Sequence, residues 1–496
     1  MVSPKPFPSL SSKQQDDLVY NLHHWSLGNG LVMFPPNFKS YQPVNAPVTL
    51  FPTPFPKNSF NDALRVQPLF NEIYSNISSL KNEEWLLNII SELSNFDRDF
   101  TGRLLDCYLK AKSIGITQPL SLGLFRSDYM LNSSDNQIKQ IEFNTVSVSF
   151  CGLSSKVGEL HSYLNKIDAY GSPDYYTEDE LPISDSINEI SNGLADGNYY
   201  YNKFETPEAE TVVLFIIQEK ERNAFDQRHL EYSLLKNHNV KSYRLQMDQI
   251  PALTKTDPIT KKIYYLPTNK EISVIYYRAG YAPSDFKSDL EWNVRTDLEV
   301  TKAIKCPTLL TQLSGCKKIQ QVLTEKIVLS KFLNSNEKKE YNNDDNDDDV
   351  NRVSKTFVNI YPMDESSNGL IARKLIEKNP NNFVLKPQRE GGGNNIYKEN
   401  IPGFLSTLKA EEFGSYILME LINPPTYENK IIRKDEIYSE SIVSELGVFG
   451  TAVWNSETDE ILTNKVAGYL LRSKFSTSDE GGVAAGFGCI DSIYLY

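Results

Sequence analysis

The sequence predicts a mixed α/β protein built from more than one unit, and two observations carry that reading. The first is Thr211-Val212-Val213-Leu214-Phe215-Ile216-Ile217, a continuous apolar run of the kind found in a strand buried on both faces of a parallel sheet. Helical spacing follows from Phe225 to Asn237, with Leu230 and Leu234 on one face, and then a second strand, Ile272 to Tyr277. Strand, helix, strand marks a small α/β lobe at about 209–320. The second observation is length. At 496 residues the chain exceeds one ordinary core, since domains run to roughly 150 residues each. The lobe is therefore expected as an insertion into a larger unit made of residues 1–208 and 321–496.

The remaining elements follow in order. Residues 1–60 are rich in proline and aromatics and read as extended, irregular packing. From Ser59 to Ser113 apolar residues recur at helical steps, as in Leu69, Phe70, Ile73 and Ile77. Arg126-Ser127-Asp128-Tyr129-Met130 reads as the start of a polar connection, and Ile138 to Phe150 alternates like a strand. Residues 168–208 are polar, with one helix expected near Leu181 to Leu194. The asparagine- and aspartate-rich stretch at about 334–352 lacks the glycine and glutamate of a calcium loop and is expected as a solvated surface insertion. Beyond it come a strand at Phe383 to Leu385, another at Ser415 to Ile422, a strand pair around Val443 to Trp454, and a glycine-rich loop.

Composition excludes several function classes. A formal net charge of -13 gives no support to nucleic-acid binding. No run approaches the about 20 apolar residues that span a bilayer, so no membrane segment is expected, and Met1 to Gln14 shows no secretory signal. Five scattered cysteines without a CxxC pair argue for reduced thiols and a cytoplasmic protein. The five histidines form no ligand spacing and no triad, which leaves little support for zinc or serine chemistry.

Four groups of residues are candidates for chemistry. In Phe383-Val384-Leu385-Lys386-Pro387-Gln388-Arg389-Glu390-Gly391-Gly392-Gly393, an apolar strand delivers a lysine and a carboxylate to three glycines. The glycines let the backbone approach an anion, Lys386 adds a charge, and Glu390 suits a metal. A plain hairpin turn is the alternative. Glu142 and Asn144 of Ile141-Glu142-Phe143-Asn144 share a strand face and are hard ligands suited to magnesium, or simply the outer face of a half-exposed strand. Ser147 and Ser149 have the opposite parity, so all four line one site only if the backbone breaks near Thr145. Glu221, Asn223, Gln227, Arg278 and Tyr281 follow the lobe's two strands, where open α/β sheets bind ligands, and suit a zwitterionic amino acid or peptide. Lys317-Lys318 after Gly315, and Arg472 with Lys474 before Gly481-Gly482-Val483-Ala484, suggest basic groups under a lid.

Together these stretches resemble the eukaryotic glutathione synthetases, members of the ATP-grasp superfamily. The resemblance rests on FVLKPQREGGGNNIY (383–397), IEFNTVSVSF (141–150), ERNAFDQ (221–227), TQLSGCKKIQQ (311–321), SELGVFG (444–450) and residues 470–486, in that family's order. It implies an ATP-grasp fold with glycine-rich and alanine-rich lids, and a homodimer. By position, Glu142, Asn144 and Glu390 would hold two Mg2+ ions. Lys317, Lys386, Gly391, Gly392, Asn395, Tyr397, Met419, Glu420, Leu421, Ile422, Glu445, Lys474 and Glu480 would bind ATP. Arg126, Val146, Ser147, Val148, Ser149, Glu221, Asn223, Gln227, Arg278 and Tyr281 would bind γ-glutamylcysteine. Arg472, Val483 and Ala484 complete the substrate site, and Arg126, Arg472, Lys317 and Lys386 are the catalytic candidates. Glu480 stands where an aspartate is common, Leu421 replaces a usual lysine, and the acidic insertion is foreign to the pattern. The implied reaction is ATP-dependent ligation of γ-glutamylcysteine to glycine through an acyl phosphate. A related ligase using β-alanine or serine, and a non-catalytic nucleotide-binding regulator, are the alternatives.

Overall fold

The computed structural model describes residues 3–39, 41–206, 210–333, 349–388, 394–433, 436–479, 482–483, 486 and 488–496. Of the expected site residues, Glu390, Gly391, Gly392, Glu480 and Ala484 lie outside these ranges, as does most of the acidic stretch.

The chain opens with helix α1 (Ser12–Asn29), where irregular packing was expected. Ser11 caps it through the backbone N–H of Gln14, and Leu18 and Leu22 bury one face. After the short strand β1 (Val48–Thr49) comes α2 (Lys57–Ile77), which carries the predicted helical spacing, followed by helices Glu83–Ser94 and Arg103–Ile114. Strand β2 (Leu120–Leu131) is a correction to the polar connection expected at Arg126–Met130. Arg126, Ser127 and Asp128 are buried there, and their charges are paired rather than solvated.

Strand β3 (Ile138–Asn144) ends one residue before Thr145, where the break was expected. Helix α3 (Cys151–Lys166) follows a loop in which Ser147 and Phe150 take positive φ. Helix α4 (Ser186–Glu205) begins later and runs further than the helix expected at Leu181 to Leu194, because Tyr201 continues the buried face of Ile190 and Leu194.

Next come β4 (Val212–Ile216), α5 (Ala224–His238), β5 (Lys241–Leu245), β6 (Lys270–Tyr277) and β7 (Ile304–Cys306). Helix α6 (Lys317–Leu323) leads to β8 (Ile360–Pro362), α7 (Ser367–Lys378), β9 (Phe383–Pro387), β10 (Ile396–Tyr397) and β11 (Tyr416–Glu420). The chain closes with β12 (Tyr427–Arg433), β13 (Glu436–Asn455), β14 (Ile461–Phe475) and β15 (Gly488–Asp491). The strand pair expected around Val443–Trp454 is thus one twenty-residue strand. Its glycines are not turn residues. A Cβ on Gly450 would lie 2.1 Å from Asn71 Oδ1 of α2, so glycine there permits close packing.

One large mixed sheet, thirteen strands among the described residues, forms the centre. Strand β2 lies between antiparallel β13 and β3 and also meets β7, while β7, β6, β4 and β5 run parallel. Residues 212–306 therefore add a parallel extension to the sheet. Alternation along each strand builds a core on either face: Val212, Leu214 and Ile216 of β4 enter one, Val213 and Phe215 the other. All five are completely buried, as a two-sided parallel strand requires. A separate four-stranded sheet, in the order β8, β11, β9, β10, is covered by α7 on one face.

Candidate active site

Two lysines converge on the end of β3. Lys317 begins α6, and its Nζ donates to Glu142 Oε2 at 2.6 Å. Lys386 on β9 donates from Nζ to the carbonyl oxygen of Ile141 at 2.9 Å. Local register explains the second contact. Glu142 pairs with Asp128 and Gln140 with Tyr129, so Ile141 is the extra residue of a bulge with no partner in that ladder. Burial alone would push the Glu142 carboxyl up; Lys317 and Lys386 overcome it and hold the group well below the usual carboxylate range.

The small sheet gives these lysines an apolar neighbour. Lys386 shares a strand face with Val384, which stands opposite Met419 in register while Lys386 stands opposite Ile417. Val384, Ile417, Met419 and Ile360 form one apolar surface, against which Tyr397 and Leu421 pack half-buried. Phe383 and Leu385 point the other way, beneath α7. Asn395 donates to Tyr397 Oη at 3.2 Å beside this surface. The Leu421 N–H is committed to the Asn382 carbonyl at 2.8 Å, and Glu420 and Ile422 are half-buried at the strand end.

A second cluster lies across β2, β3, β13 and β14, and its centre is a residue the sequence reading passed over. Asp128, completely buried, accepts from Arg126 Nε at 2.6 Å and Nη2 at 2.8 Å, from Asn144 Nδ2 at 3.0 Å and from Arg472 Nη2 at 3.0 Å. Arg472 also pairs with Glu445, its register partner on β13. Burial pulls the Arg472 guanidinium down from its ordinary value, against Asp128. Lys474, two residues on and on the same face, donates to the Asp479 carbonyl at 2.5 Å. The signal for Asp128 was its parity with Arg126, two residues apart on a strand.

The third cluster sits at the carboxyl ends of β4 and β6. Glu221 accepts from the Asn223 N–H and from Gln227 Nε2, both at 2.7 Å. Arg278, buried, donates to the Val148 carbonyl at 2.5 Å and to Ser149 Oγ at 2.7 Å. Burial opposes its charge, but Tyr276 and Asp226 reverse the effect and raise its pKa. Ser147 Oγ donates to the Tyr277 carbonyl at 3.0 Å, and Tyr281 Oη accepts from Gln218 at 3.0 Å. Asp226, also missed from sequence, holds the loop by accepting from the N–H groups of Phe150, Gly152 and Leu153. That anchor explains why two non-glycine residues tolerate left-handed backbone here.

Ser149 joins the second and third clusters, because its carbonyl also accepts from Arg126 Nη1 at 3.4 Å. Not every expected residue shows a side chain to the site. Val146, Val148 and Val483 are buried apolar side chains, and Val148 and Val483 belong to a core cluster.

Taken together, an apolar sheet face beside two convergent lysines, with paired arginines and a polar cleft across the sheet, is the build of a protein that handles a phosphorylated nucleotide. The sequence comparisons agree: residues 12–495 match the family described as "Eukaryotic glutathione synthase, ATP binding domain". The glutathione synthetase large chain of Schizosaccharomyces pombe is 38% identical over 469 residues, covering 90% of this chain and 91% of that one. The glutathione synthetase of Dictyostelium discoideum is 38% identical over 486 residues, 95% and 97% of the two chains. The chloroplastic glutathione synthetase of Solanum lycopersicum is 40% identical over 455 residues, 91% of this chain and 78% of that one. A solved structure of a glutathione synthetase-like effector from Globodera pallida shares the fold, with a TM-score of 0.75 over 99% of this chain and 100% of that one at 20% identity. The chain belongs to the eukaryotic glutathione synthetase family.

Proposed function

We propose that this protein is a glutathione synthetase, joining γ-glutamylcysteine to glycine at the expense of ATP. The observation that carries the reading is the convergence of Lys317 and Lys386 on Ile141 and Glu142, at one edge of an apolar sheet face and within the same strand as Asn144. Adenine would lie on the surface of Val384, Ile417 and Met419, with its polar edge toward Glu420 to Ile422, and the phosphates toward the lysines.

The fold is of the ATP-grasp kind, with residues 1–208 and 321–496 binding the nucleotide and residues 209–320 the peptide. Glu142 and Asn144 fit a hard cation: Glu142 stays ionised, and the Asn144 amide nitrogen is committed to Asp128 and to the Arg126 carbonyl, which leaves the amide oxygen as the ligating atom. With Glu390 they would hold two Mg2+ ions, which supply charge neutralisation on the polyphosphate. The family resemblance assigns one lid to the stretch of Gly391, Gly392, Asn395 and Tyr397, and the other to that of Val483 and Ala484.

In the reaction, an oxygen of the cysteinyl carboxylate attacks the γ-phosphorus of ATP, and ADP leaves. Lys317 and Lys386 offset charge on the transferring group. Glycine's amine then attacks the acyl carbon, loses a proton and displaces phosphate. Arg126 and Arg472 hold acceptor carboxylate charge and the oxyanion. Glu221 and Gln227 receive the γ-glutamyl ammonium, and Arg278 with Ser147, Ser149 and Tyr281 orients the peptide. Closed lids keep water from the acyl phosphate.

Among the described residues, no helix is long and apolar enough to cross a membrane. Free cysteines, four of them buried, support a reducing, cytoplasmic setting, and the resemblance supports a homodimer. The direct test is mass-spectrometric detection of glutathione from the three substrates. Absence of product would refute the reading.

A further inference from the structure

We propose that Asp128 is a positioning residue for the ligation step: one buried carboxylate that fixes Arg126, Arg472 and the amide of Asn144 in a single arrangement. The inference rests on the proposed function, since it specifies how those three groups come to act together.

Four observations converge. Asp128 is 0% exposed, in the middle of the sheet, where it meets Arg126, Asn144 and Arg472. It takes the Nε–Nη2 edge of Arg126 in a two-pronged contact, which fixes the plane of the guanidinium and turns Nη1 toward the Ser149 carbonyl and the peptide loop. Its Oδ2 also receives Arg472 Nη2, so two guanidiniums that would repel each other are held on one anion. The same Oδ2 accepts from Asn144 Nδ2 at 3.0 Å, and this settles which way the amide faces. A shorter side chain at 128 loses all three constraints at once, and a neutral amide there loses the charge that holds the two guanidiniums together.

Gly447 supplies independent support. It lies opposite Asp128 in the ladder between β13 and β2. A Cβ there would meet Arg126 Cδ at 2.8 Å and Asp128 Oδ1 at 2.9 Å. Glycine at 447 is therefore what lets the Arg126–Asp128 pair lie flat on the sheet, and Gly447→Ala disturbs the pair while leaving every charge in place.

The experiment compares the full-length protein with Asp128→Asn and Gly447→Ala. It measures kcat and KM with γ-glutamylcysteine and glycine, dissociation constants for ATP with and without magnesium and for γ-glutamylcysteine by calorimetry, and thermal melting. Asp128→Asn nearly preserves volume, but its single oxygen best serves the three donors at the Oδ2 position, which sets its N–H2 against Arg126 Nε–H. The expected result is a fall in kcat of about a hundredfold and a rise in KM for γ-glutamylcysteine of about tenfold, each charged hydrogen bond being worth about tenfold or more. Affinity for ATP without magnesium stays within about twofold, because Lys317 and Lys386 are untouched, while affinity with magnesium falls with the Asn144 amide. Gly447→Ala shows the same split in smaller measure, and decides the matter if Asp128→Asn does not fold. Unchanged kcat and KM in a folded variant overturns the proposal, as does a parallel loss of magnesium-free ATP and peptide affinity, which is what a merely structural role produces. One readout is independent of the reaction: the Arg126 Nε–H, followed by nitrogen NMR, exchanges slowly with solvent in the unchanged protein and fast in Asp128→Asn. If the unchanged protein makes no glutathione, the functional reading falls, while slow exchange still upholds the positioning of Arg126.

Discussion

Lys317 Nζ lies 2.6 Å from Glu142 Oε2, bridging the start of a helix and the end of a strand 175 residues earlier in the chain. The side chains are 6% and 26% exposed, so the pair is screened only in part. Replacing Glu142 with Gln removes the carboxylate that Lys317 meets and that is proposed to hold metal. Turnover is expected to fall by two to three orders of magnitude, on the scale of losing a key electrostatic group. The stability effect has a defined sign. The Glu142 pKa is depressed below its ordinary value of 4.5, so its contribution is present above that pH and is lost as pH falls. The melting-temperature gap between the unchanged protein and Glu142→Gln is therefore widest above pH 4.5 and narrows in acid. A gap independent of pH contradicts this.

Lys386 reaches the same strand from the other sheet, through the Ile141 carbonyl. Lys386→Met keeps the length and packing of the side chain while removing its charge. ATP-dependent turnover is expected to drop at least a hundredfold, consistent with loss of a phosphate-facing charge. Circular dichroism and melting should show a folded protein. Near-normal turnover would remove Lys386 from the mechanism.

The peptide cleft separates from the nucleotide site in its predicted kinetics. Arg278→Lys loses the planar fork that spans the Val148 carbonyl and Ser149 Oγ. Glu221→Gln loses the anion expected to meet the γ-glutamyl ammonium. Each is expected to raise KM for γ-glutamylcysteine about tenfold, with KM for ATP unchanged. A change confined to ATP would reverse the assignment of the two clefts.

Two buried groups, Asp491 and His161, make a separate pH prediction. Asp491 accepts from Thr49, Thr53 and Ser473 hydroxyls, and burial raises its pKa from 3.8 to about 6. His161 meets Ser492 Oγ and the Thr49 carbonyl, and burial lowers its pKa from 6.5 to about 4. Protonated Asp491 stabilises the fold, an effect lost as pH rises through about 6. Neutral His161 stabilises it, an effect lost as pH falls from 6.5 toward about 4. The slopes oppose each other over the same window. Asp491→Asn should therefore melt at higher temperature as pH rises from 4 to 6.5, and His161→Gln at lower temperature. Flat profiles in both variants would contradict the shifts.

What sequence could and could not reveal follows from local against non-local information. The lysines, the Glu142-Phe143-Asn144 face and the break before Ser147 were legible because a strand period and a bend are local. Asp128 was not, because charges at Arg126 and Asp128 read as solvent-facing until their partners on β3 and β14 are known. Asp226 escaped for the same reason: its three N–H donors sit about 75 residues earlier. The strand pair expected around Val443 to Trp454 is one twenty-residue strand, in which Gly447 and Gly450 each make room for a distant neighbour, Asp128 and Asn71. Helix α1 was hidden by the prolines that flank it, although Ser11 and Gln14 already formed its cap.

The central claim is tested most directly by phosphate release from ATP, measured with γ-glutamylcysteine and glycine separately and together, and with β-alanine or serine in place of glycine. The account predicts release only when both substrates are present, one phosphate for each glutathione formed, and fastest with glycine. Release that needs neither substrate, or that no acceptor amino acid accelerates, would contradict it.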